Sequence, residues 1–303
     1  MRIGFAGTPQ VAVPSLHAVA ASGHELAAVI TRPDAATGRG RKLTASPVAQ
    51  AAEQLGVAVF KPASLKQPGF AETLASLELD ACLVVAYGAL LPEHILAIPK
   101  HGWINLHFSQ LPRWRGAAPV QHAILAGDTT TATSCFRIVK ALDAGPVFRQ
   151  RSFNIGDETA GELLDRLAQA GAAELLATLA DIADGVQPIE QPSDGITYAS
   201  KLTPAEARLD FTRPALALHR TIMACSPAPG AWCELGGQRF KIYRSQLTDS
   251  ADLAPGQLAT AKNRVLVGTG DGDLGLVEVQ APGKRRMAAA DWARGGHGEV
   301  TLA

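Results

Sequence analysis

The chain has 303 residues, with 28 lysines and arginines balanced by 28 aspartates and glutamates, so its formal net charge is zero. Hydrophobic residues make up 47% of the chain and charged residues 18%, a composition that excludes intrinsic disorder. No apolar run reaches the ~18 residues of a membrane span, and the four cysteines lack the spacing of a disulfide framework or a zinc ribbon. We therefore expect a cytoplasmic protein with no membrane attachment and no metal site. Taken alone, the neutral total argues against a nucleic-acid partner.

The first half of the chain alternates strand-like and helix-like segments. Short apolar runs occupy residues 2–6, 26–30, 57–60, 81–86 and 103–106. Because stretches rich in Ala, Leu and Glu separate several of them, the pattern predicts a parallel sheet with helices on both faces. The longest predicted helix begins at a capping box of Thr159 and Glu162 and ends at Gly185.

The second half has a different texture. Residues 187–214 contain four prolines and little periodicity, which indicates a linker between domains. Short β-like runs follow at residues 240–243, 257–259, 264–267 and 274–279, separated by Gly and Asp. These runs predict a small barrel or sandwich.

The turn after the first predicted strand is Gly7-Thr8-Pro9. An open α/β sheet binds ligands beyond the carboxyl ends of its strands, so this turn faces a candidate site. The chain contains neither GxGxxG nor GxxxxGK[ST], which disfavours a dinucleotide oxidoreductase and a P-loop nucleotidase. Nucleotide binding by another route stays open.

Two polar residues lie at the end of the fifth predicted strand. Asn105 and His107 are two residues apart, so a strand projects both from one face. A carboxamide can donate to a developing oxyanion and an imidazole can donate or move a proton, which suits acyl transfer. Asp143, in a turn-like Leu-Asp-Ala-Gly-Pro segment, is the candidate that orients the histidine. Spacing alone leaves the alternative open, namely a structural histidine and a turn-forming aspartate.

Several motifs in a shared order resemble the methionyl-tRNA formyltransferases along nearly the whole chain. They are F-A-G-T-P at 5–9, G-R-G-R-K at 38–42 with S-P-V at 46–48, V-V-A-Y-G at 84–88, L-P-R-W-R-G-A-A-P at 111–119, and T-Y-A at 197–199 with E-A-R at 206–208. The resemblance implies a Rossmann-like α/β formyltransferase domain over residues 1–188, a linker over 189–206 and an OB-like β-barrel that binds tRNA over 207–303. It also implies formyl transfer from 10-formyltetrahydrofolate to the amino group of methionyl-initiator tRNA. We expect the enzyme to act as a monomer without a metal.

The same resemblance assigns roles to particular residues. It raises Asn105, His107 and Asp143 to the catalytic group of folate-dependent formyltransferases. It also implies that a short segment lies beside the tetrahydrofolate, made of Ser109, Gln110, Leu111 and Pro112.

Two departures from the family pattern stand out. Phe108 and Gln110 replace a small residue and a Leu, so contacts beside the folate are expected to differ in detail. Ser226-Pro227-Ala228-Pro229 stands where the family has Asn-Pro-Trp-Pro. Neither change affects the catalytic group.

Two basic segments are candidates for tRNA contact. Loop 31–48 has four cations and one acid, a net charge of +3, and the resemblance assigns Arg39, Arg41 and Lys42 to the tRNA. Residues 207–303 have 12 cations and 9 acids, also +3, and include Lys284 and Arg285, which can meet the tRNA backbone. A solvated loop and a solvated turn are the alternatives from charge alone. The zero total is thus a sum of separated regions, and it excludes only a uniformly basic nucleic-acid binder.

Two other functions compete with formylation of initiator tRNA. A formyltransferase for a small amine, such as an amino sugar or glycinamide ribonucleotide, would need neither the basic loop nor the barrel. An RNA-binding module on an inactive α/β scaffold would not need Asn105, His107 and Asp143 together.

Overall fold

The structure, a computed structural model, describes residues 1–37, 42–261, 264–295 and 301–303. Its chain forms two compact units, which we call the N-terminal and C-terminal units. The N-terminal unit comprises residues 1–116, 131–153 and 164–198, and the C-terminal unit comprises residues 117–130, 154–163 and 199–303. Each unit contains a cluster of fully buried apolar side chains, so each has its own core.

The strands up to residue 199 are, in chain order, β1 (Arg2–Gly7), β2 (Glu25–Ile30), β3 (Ala35–Thr37), β4 (Lys42–Thr44), β5 (Val59–Phe60), β6 (Ala81–Val85), β7 (Trp103–His107), β8 (Arg115–Gly116), β9 (Thr130–Arg137), β10 (Val147–Asn154) and β11 (Tyr198–Ala199). The later strands are β12 (Ala231–Leu235), β13 (Gln238–Leu247), β14 (Leu258–Ala261), β15 (Arg264–Gly268), β16 (Asp273–Gln280) and β17 (Met287–Ala288). The helices are α1 (Val13–Ala20), α2 (Pro47–Gln54), α3 (Phe70–Ser76), α4 (Glu93–Leu96), α5 (Pro119–Ala126), α6 (Ala160–Ala183), α7 (Ala215–Cys225) and α8 (Ala289–Ala293).

The main sheet of the N-terminal unit has the strand order β10-β9-β7-β6-β1-β2-β5. β1 pairs in parallel with β2 and β6, and β6 pairs in parallel with β7. Every residue of β6 is buried, as expected of a central strand that is covered on both faces. The predicted parallel sheet is confirmed. The pairing of β9 with β7 is antiparallel, which the strand pattern did not indicate.

Helix α6 begins at the predicted capping box. The Thr159 backbone N–H donates to Glu162 Oε2 at 2.9 Å, and the Glu162 N–H donates to Thr159 Oγ1 at 3.3 Å. These bonds satisfy backbone donors that the first helical turn leaves without partners. Gly185, at φ 78°, follows the last helical turn as predicted.

The C-terminal unit is built on an antiparallel sheet in the order β12-β13-β16-β15-β14, with β17 paired to β16. Residues 301–303 join its two edges, because Leu302 bridges Leu235 of β12 and Thr301 bridges Gln257 beside β14. The sheet therefore closes on itself, in agreement with the small barrel that the β-like runs predict. Helix α7 was not predicted; Leu218 and Ile222, four residues apart, bury its apolar face in the core of this unit.

Candidate active site

Strand β7 determines where Asn105 and His107 project. Between them, Leu106 packs against α6 so closely that a Cβ at Gly171 would lie 2.7 Å from Leu106 Cδ2. Because side chains alternate along a strand, Asn105 and His107 project from the other face of the sheet. His107 is the last residue of β7, which runs parallel to β6, so the pair lies at the carboxyl edge where α/β sheets bind ligands.

The His107 ring is buried and held in one orientation. Its Nε2 lies 2.9 Å from the carbonyl oxygen of Trp114, and Phe136 contacts it edge-on at 6.4 Å between ring centroids. A carbonyl only accepts, so Nε2 carries the proton and the neutral ring has its lone pair on Nδ1. Burial lowers the pKa of His107 below 6.5, while the negative charge of Asp143 and the Trp114 carbonyl oppose that shift. The imidazole is therefore neutral at pH 7.

Asp143 lies opposite the free nitrogen of this ring. Its Oδ2 is 3.9 Å from His107 Nδ1, too far for a direct hydrogen bond, and the same oxygen accepts from the Gly116 N–H at 2.7 Å. This separation leaves both Nδ1 and Oδ2 able to hydrogen-bond to one polar atom of a bound molecule. The backbone of Asp143 has φ 46°, in the left-handed region that few non-glycine residues adopt.

The carboxamide of Asn105 completes the group. It is half-buried, and among the described residues it has no hydrogen-bond partner. Its N–H groups are therefore able to donate to a bound substrate. The structure brings His107 and Asp143 together and puts Asn105 on the same strand face as His107.

The segment from Ser109 to Pro112 is held rigidly after β7. Ser109 Oγ donates to the Arg113 carbonyl at 2.6 Å, and Ser134 Oγ donates to the Ser109 carbonyl at 2.6 Å. Gln150 Nε2 donates to the Leu111 carbonyl at 3.1 Å. Ser109 and Leu111 are buried, Pro112 is half-buried and Gln110 is exposed. Of the two unusual residues, Phe108 is buried and Gln110 is exposed.

The residues assigned to tRNA are distributed as follows. Arg39 and Arg41 lie outside the described residues. Lys42 is exposed on β4, which pairs antiparallel with β3, so the described ends of loop 31–48 form a short hairpin. Lys284 and Arg285 are exposed in the C-terminal unit.

Sequence reasoning missed two residues at this site, Arg115 and Gln191. Gln191 Nε2 donates to the carbonyl of Asp143 at 2.8 Å, and the Arg115 guanidinium donates to Gln191 Oε1. Arg115 belongs to the L-P-R-W-R-G-A-A-P motif at 111–119, but the resemblance assigned no role to it. Gln191 is 48 residues from Asp143 in a proline-rich segment, so no local pattern pointed to it.

The described residues contain neither a cluster suited to a metal ion nor a membrane-spanning helix. No group of three His, Cys, Asp or Glu side chains in those ranges is arranged to hold a metal ion. No helix in the same part of the chain is long and apolar enough to cross a membrane.

The cysteines at 82, 135, 225 and 233 are all buried. Burial raises the pKa of the Cys135 thiol to about 12, so this thiol is a poor nucleophile.

Comparison with known proteins identifies the family. Residues 1–179 match the family model described as Formyl transferase, and residues 201–297 match Formyl transferase, C-terminal domain. The chain therefore belongs to the formyl transferase family. Within that family it belongs to the methionyl-tRNA formyltransferases. The methionyl-tRNA formyltransferase of Streptomyces coelicolor is 54% identical to it over 299 residues, which cover 97% of this chain and 96% of that protein. That of Thermobifida fusca is 55% identical over 298 residues, covering 97% and 96%.

Solved structures share the fold at low sequence identity. HypX from Aquifex aeolicus in complex with tetrahydrofolic acid has a TM-score of 0.67 at 16% identity, covering 96% of this chain and 46% of HypX. Methionyl-tRNA formyltransferase from Clostridium thermocellum has a TM-score of 0.61 at 15% identity, covering 82% and 94%. The predicted family and fold class are confirmed, and the chain is an enzyme.

Proposed function

We propose that this enzyme transfers the formyl group of 10-formyltetrahydrofolate to the α-amino group of methionine on initiator tRNA, which prepares that tRNA for translation initiation. The observation that carries the proposal is the geometry of His107, whose Nδ1 faces Asp143 at 3.9 Å and which shares a strand face with Asn105. We further propose that it acts as a monomer in the cytoplasm.

The three side chains divide the chemistry between them. As the new C–N bond forms, the attacking amine loses a proton, and the lone pair on His107 Nδ1 accepts it. Asp143 stabilises the resulting imidazolium, and the Asn105 N–H donates to the oxygen on which negative charge develops. The bond from the formyl carbon to N10 then breaks, and the proton passes from His107 to N10. N-formylmethionyl-tRNA and tetrahydrofolate leave with no net change in the protein.

The residues after β7 fit a folate. The backbone from Ser109 to Pro112 is fixed by hydrogen bonds from Ser134 and Gln150, so binding orders little additional chain. The exposed carboxamide of Gln110 offers both a donor and an acceptor to a pterin ring. The folate supplies the one-carbon unit, and these residues orient it toward His107.

Two basic regions suit the tRNA. Arg39, Arg41 and Lys42 belong to a loop of net charge +3 in a chain of zero net charge, which suits the phosphates of the acceptor end. Lys284 and Arg285 add a second point of contact on the C-terminal unit, where both are exposed. Contacts of this kind position the substrate without reading its sequence.

A comparison of acceptors, each supplied separately, tests the proposal. The enzyme is given 10-formyltetrahydrofolate with methionyl-initiator tRNA, with an amino-sugar nucleotide, or with glycinamide ribonucleotide. We expect formylation of the tRNA and only background reaction of the small amines. If only the small amines were formylated, the proposed acceptor would be contradicted. If the reaction required 5-formyltetrahydrofolate in place of the 10-formyl donor, the proposed donor would be contradicted.

A further inference from the structure

The segment that follows α6 is attached to the active site along its length. Ile189 exchanges two backbone hydrogen bonds with Val147, of 2.7 and 2.8 Å. Eight residues further on, Thr197 accepts from the Trp114 N–H through its side chain and from the Arg115 N–H through its carbonyl, both at 2.9 Å. Gln191 lies between these two attachments, so its backbone position is fixed on both sides.

The carboxamide of Gln191 makes four hydrogen bonds. Its Nε2 donates to the carbonyls of Asp143 and Gly145, both at 2.8 Å. Its Oε1 accepts from Arg115, at 2.6 Å from Nη2 and 3.1 Å from Nε. A guanidinium only donates and a carbonyl only accepts, so the partners allow one orientation of this carboxamide.

The carbonyls that Gln191 binds belong to the turn that carries Asp143. That residue has a left-handed backbone, which persists only where its surroundings hold it. The carboxylate of Asp143 is fixed by the Gly116 N–H, which donates to Oδ2 at 2.7 Å. The backbone of the turn is fixed by Gln191, which donates to the carbonyls of Asp143 and Gly145. Arg115, only 8% exposed, in turn holds Gln191 in place.

We propose that Gln191 is a positioning residue for catalysis, which keeps Asp143 at its distance from His107 and is itself oriented by Arg115. This inference rests on the role proposed for Asp143. All four hydrogen bonds of the Gln191 side chain go to Arg115 and to backbone carbonyls, so its effect is expected on turnover rather than on binding.

Two substitutions separate the bonds of Gln191 from its volume. Gln191→Met keeps the size of the side chain and removes all four hydrogen bonds. Gln191→Glu keeps an acceptor for Arg115 but replaces the donor toward the two carbonyls with an acceptor. The matched control is Gln187→Met, because Gln187 is exposed and binds only the nearby Gly185 carbonyl among the described residues.

We expect both Gln191 variants to lower kcat by about 10- to 100-fold, as a shift of the catalytic geometry by about 1 Å does. KM for both substrates should stay within about twofold of the parent value, because uniform binding is unaffected. The His107 ring, followed by NMR, should titrate at lower pH in the Gln191 variants, since a displaced Asp143 raises its pKa less. The Gln187 variant should match the parent in all three measurements.

The outcomes distinguish this inference from the proposed function. Unchanged kcat and an unchanged His107 titration in folded Gln191 variants would refute the positioning role, provided that Asp143→Ala still lowers turnover. If Asp143→Ala had no effect, the role of Asp143 itself would fail. Loss of folding in both Gln191 variants, measured by circular dichroism, would assign Gln191 to stability and would also overturn the inference.

Discussion

At the scale of single residues, the site depends on one imidazole whose two nitrogens have different tasks. Nε2 of His107 is bound to the Trp114 carbonyl, which leaves Nδ1 to face Asp143. Because burial keeps the ring neutral, the group is ready to accept a proton at pH 7, and the adjacent carboxylate stabilises it once it is charged.

Removal of either member of this pair should slow the reaction. His107→Ala and Asp143→Ala are each expected to lower kcat by at least about 100-fold, the contribution of one acid–base or oxyanion group. The measurement is single-turnover formylation of methionyl-initiator tRNA, with tRNA affinity measured separately. His94→Ala, in the short helix α4, is the matched control and should be neutral. Near-parental turnover in either site variant would refute the assigned role.

The pH dependence of turnover follows from the lowered pKa of His107. The neutral ring is the active form, so kcat should decline in acid at a lower pH than a histidine of ordinary pKa would give. Asp143→Asn removes the charge that raises the pKa of His107, so the NMR titration of the ring should move to still lower pH. A titration that moved to higher pH would contradict the electrostatic coupling.

The lowered pKa of His107 also affects folding stability. In acid the unfolded chain binds a proton at this histidine more readily than the folded chain does, so His107 lowers the free energy of unfolding as the pH falls.

At the scale of secondary-structure elements, the turn between β9 and β10 has little room for change. Arg137 donates its backbone N–H to the Pro146 carbonyl at 2.9 Å, which folds the turn back onto the end of β9. Gly145 lies so close that a Cβ there would be 1.8 Å from the Arg137 carbonyl oxygen. Glycine is required at this position because of a close backbone approach rather than a positive φ.

Gly145→Ala should therefore move the turn that carries Asp143. We expect a loss of about 1–3 kcal/mol in the free energy of unfolding, typical of overpacking, together with a lower kcat. Urea denaturation and turnover are measured side by side. Gly156→Ala serves as the control, since a Cβ at Gly156 would have nothing within 4 Å. Equal stability of the two variants would show that the turn can relax around a methyl group.

The sequence predicted what is local and missed what is distant. The alternation in β7 predicted that Asn105 and His107 share a face, and the capping box predicted the start of α6, because both depend on residues a few positions apart. The partners of Asp143 could not be predicted in this way. Gly116 is 27 residues away from it and Gln191 is 48 residues away, and only the folded chain brings them together. Helix α7 was missed because it begins directly after Pro214, at the end of a segment with four prolines and little periodicity.

At the scale of the whole molecule, the zero net charge conceals an uneven distribution. Loop 31–48 and residues 207–303 each have a net charge of +3, so the remaining residues carry −6. An anionic body disfavours non-specific contact with RNA, while the basic segments attract phosphates within the Debye length.

The basic loop should determine the salt dependence of tRNA use. Replacing Arg39 and Arg41 with Ala is expected to weaken kcat/KM for the tRNA and to reduce the slope of log affinity against log salt by up to about 2, while folate affinity is unchanged. Replacing the exposed Lys66 and Lys100 removes the same charge elsewhere and should leave the slope nearly unchanged. An equal reduction in both double variants would indicate a general charge effect and would exclude a specific contact.

The attachment of residues 189–197 to the active site bears on how freely such proteins can be recombined. A junction chosen by sequence similarity would fall near residue 179, where the match to the first family model ends, and would discard Gln191 and Thr197. A chimaera made there would keep Asn105, His107 and Asp143 yet would take the residues that hold Asp143 from its new partner. Exchange of the chain beyond residue 179 is therefore expected to preserve turnover only when the incoming segment has a glutamine and a threonine at the positions of Gln191 and Thr197. The residues needed for this reaction therefore extend past residue 179, to the end of the N-terminal unit.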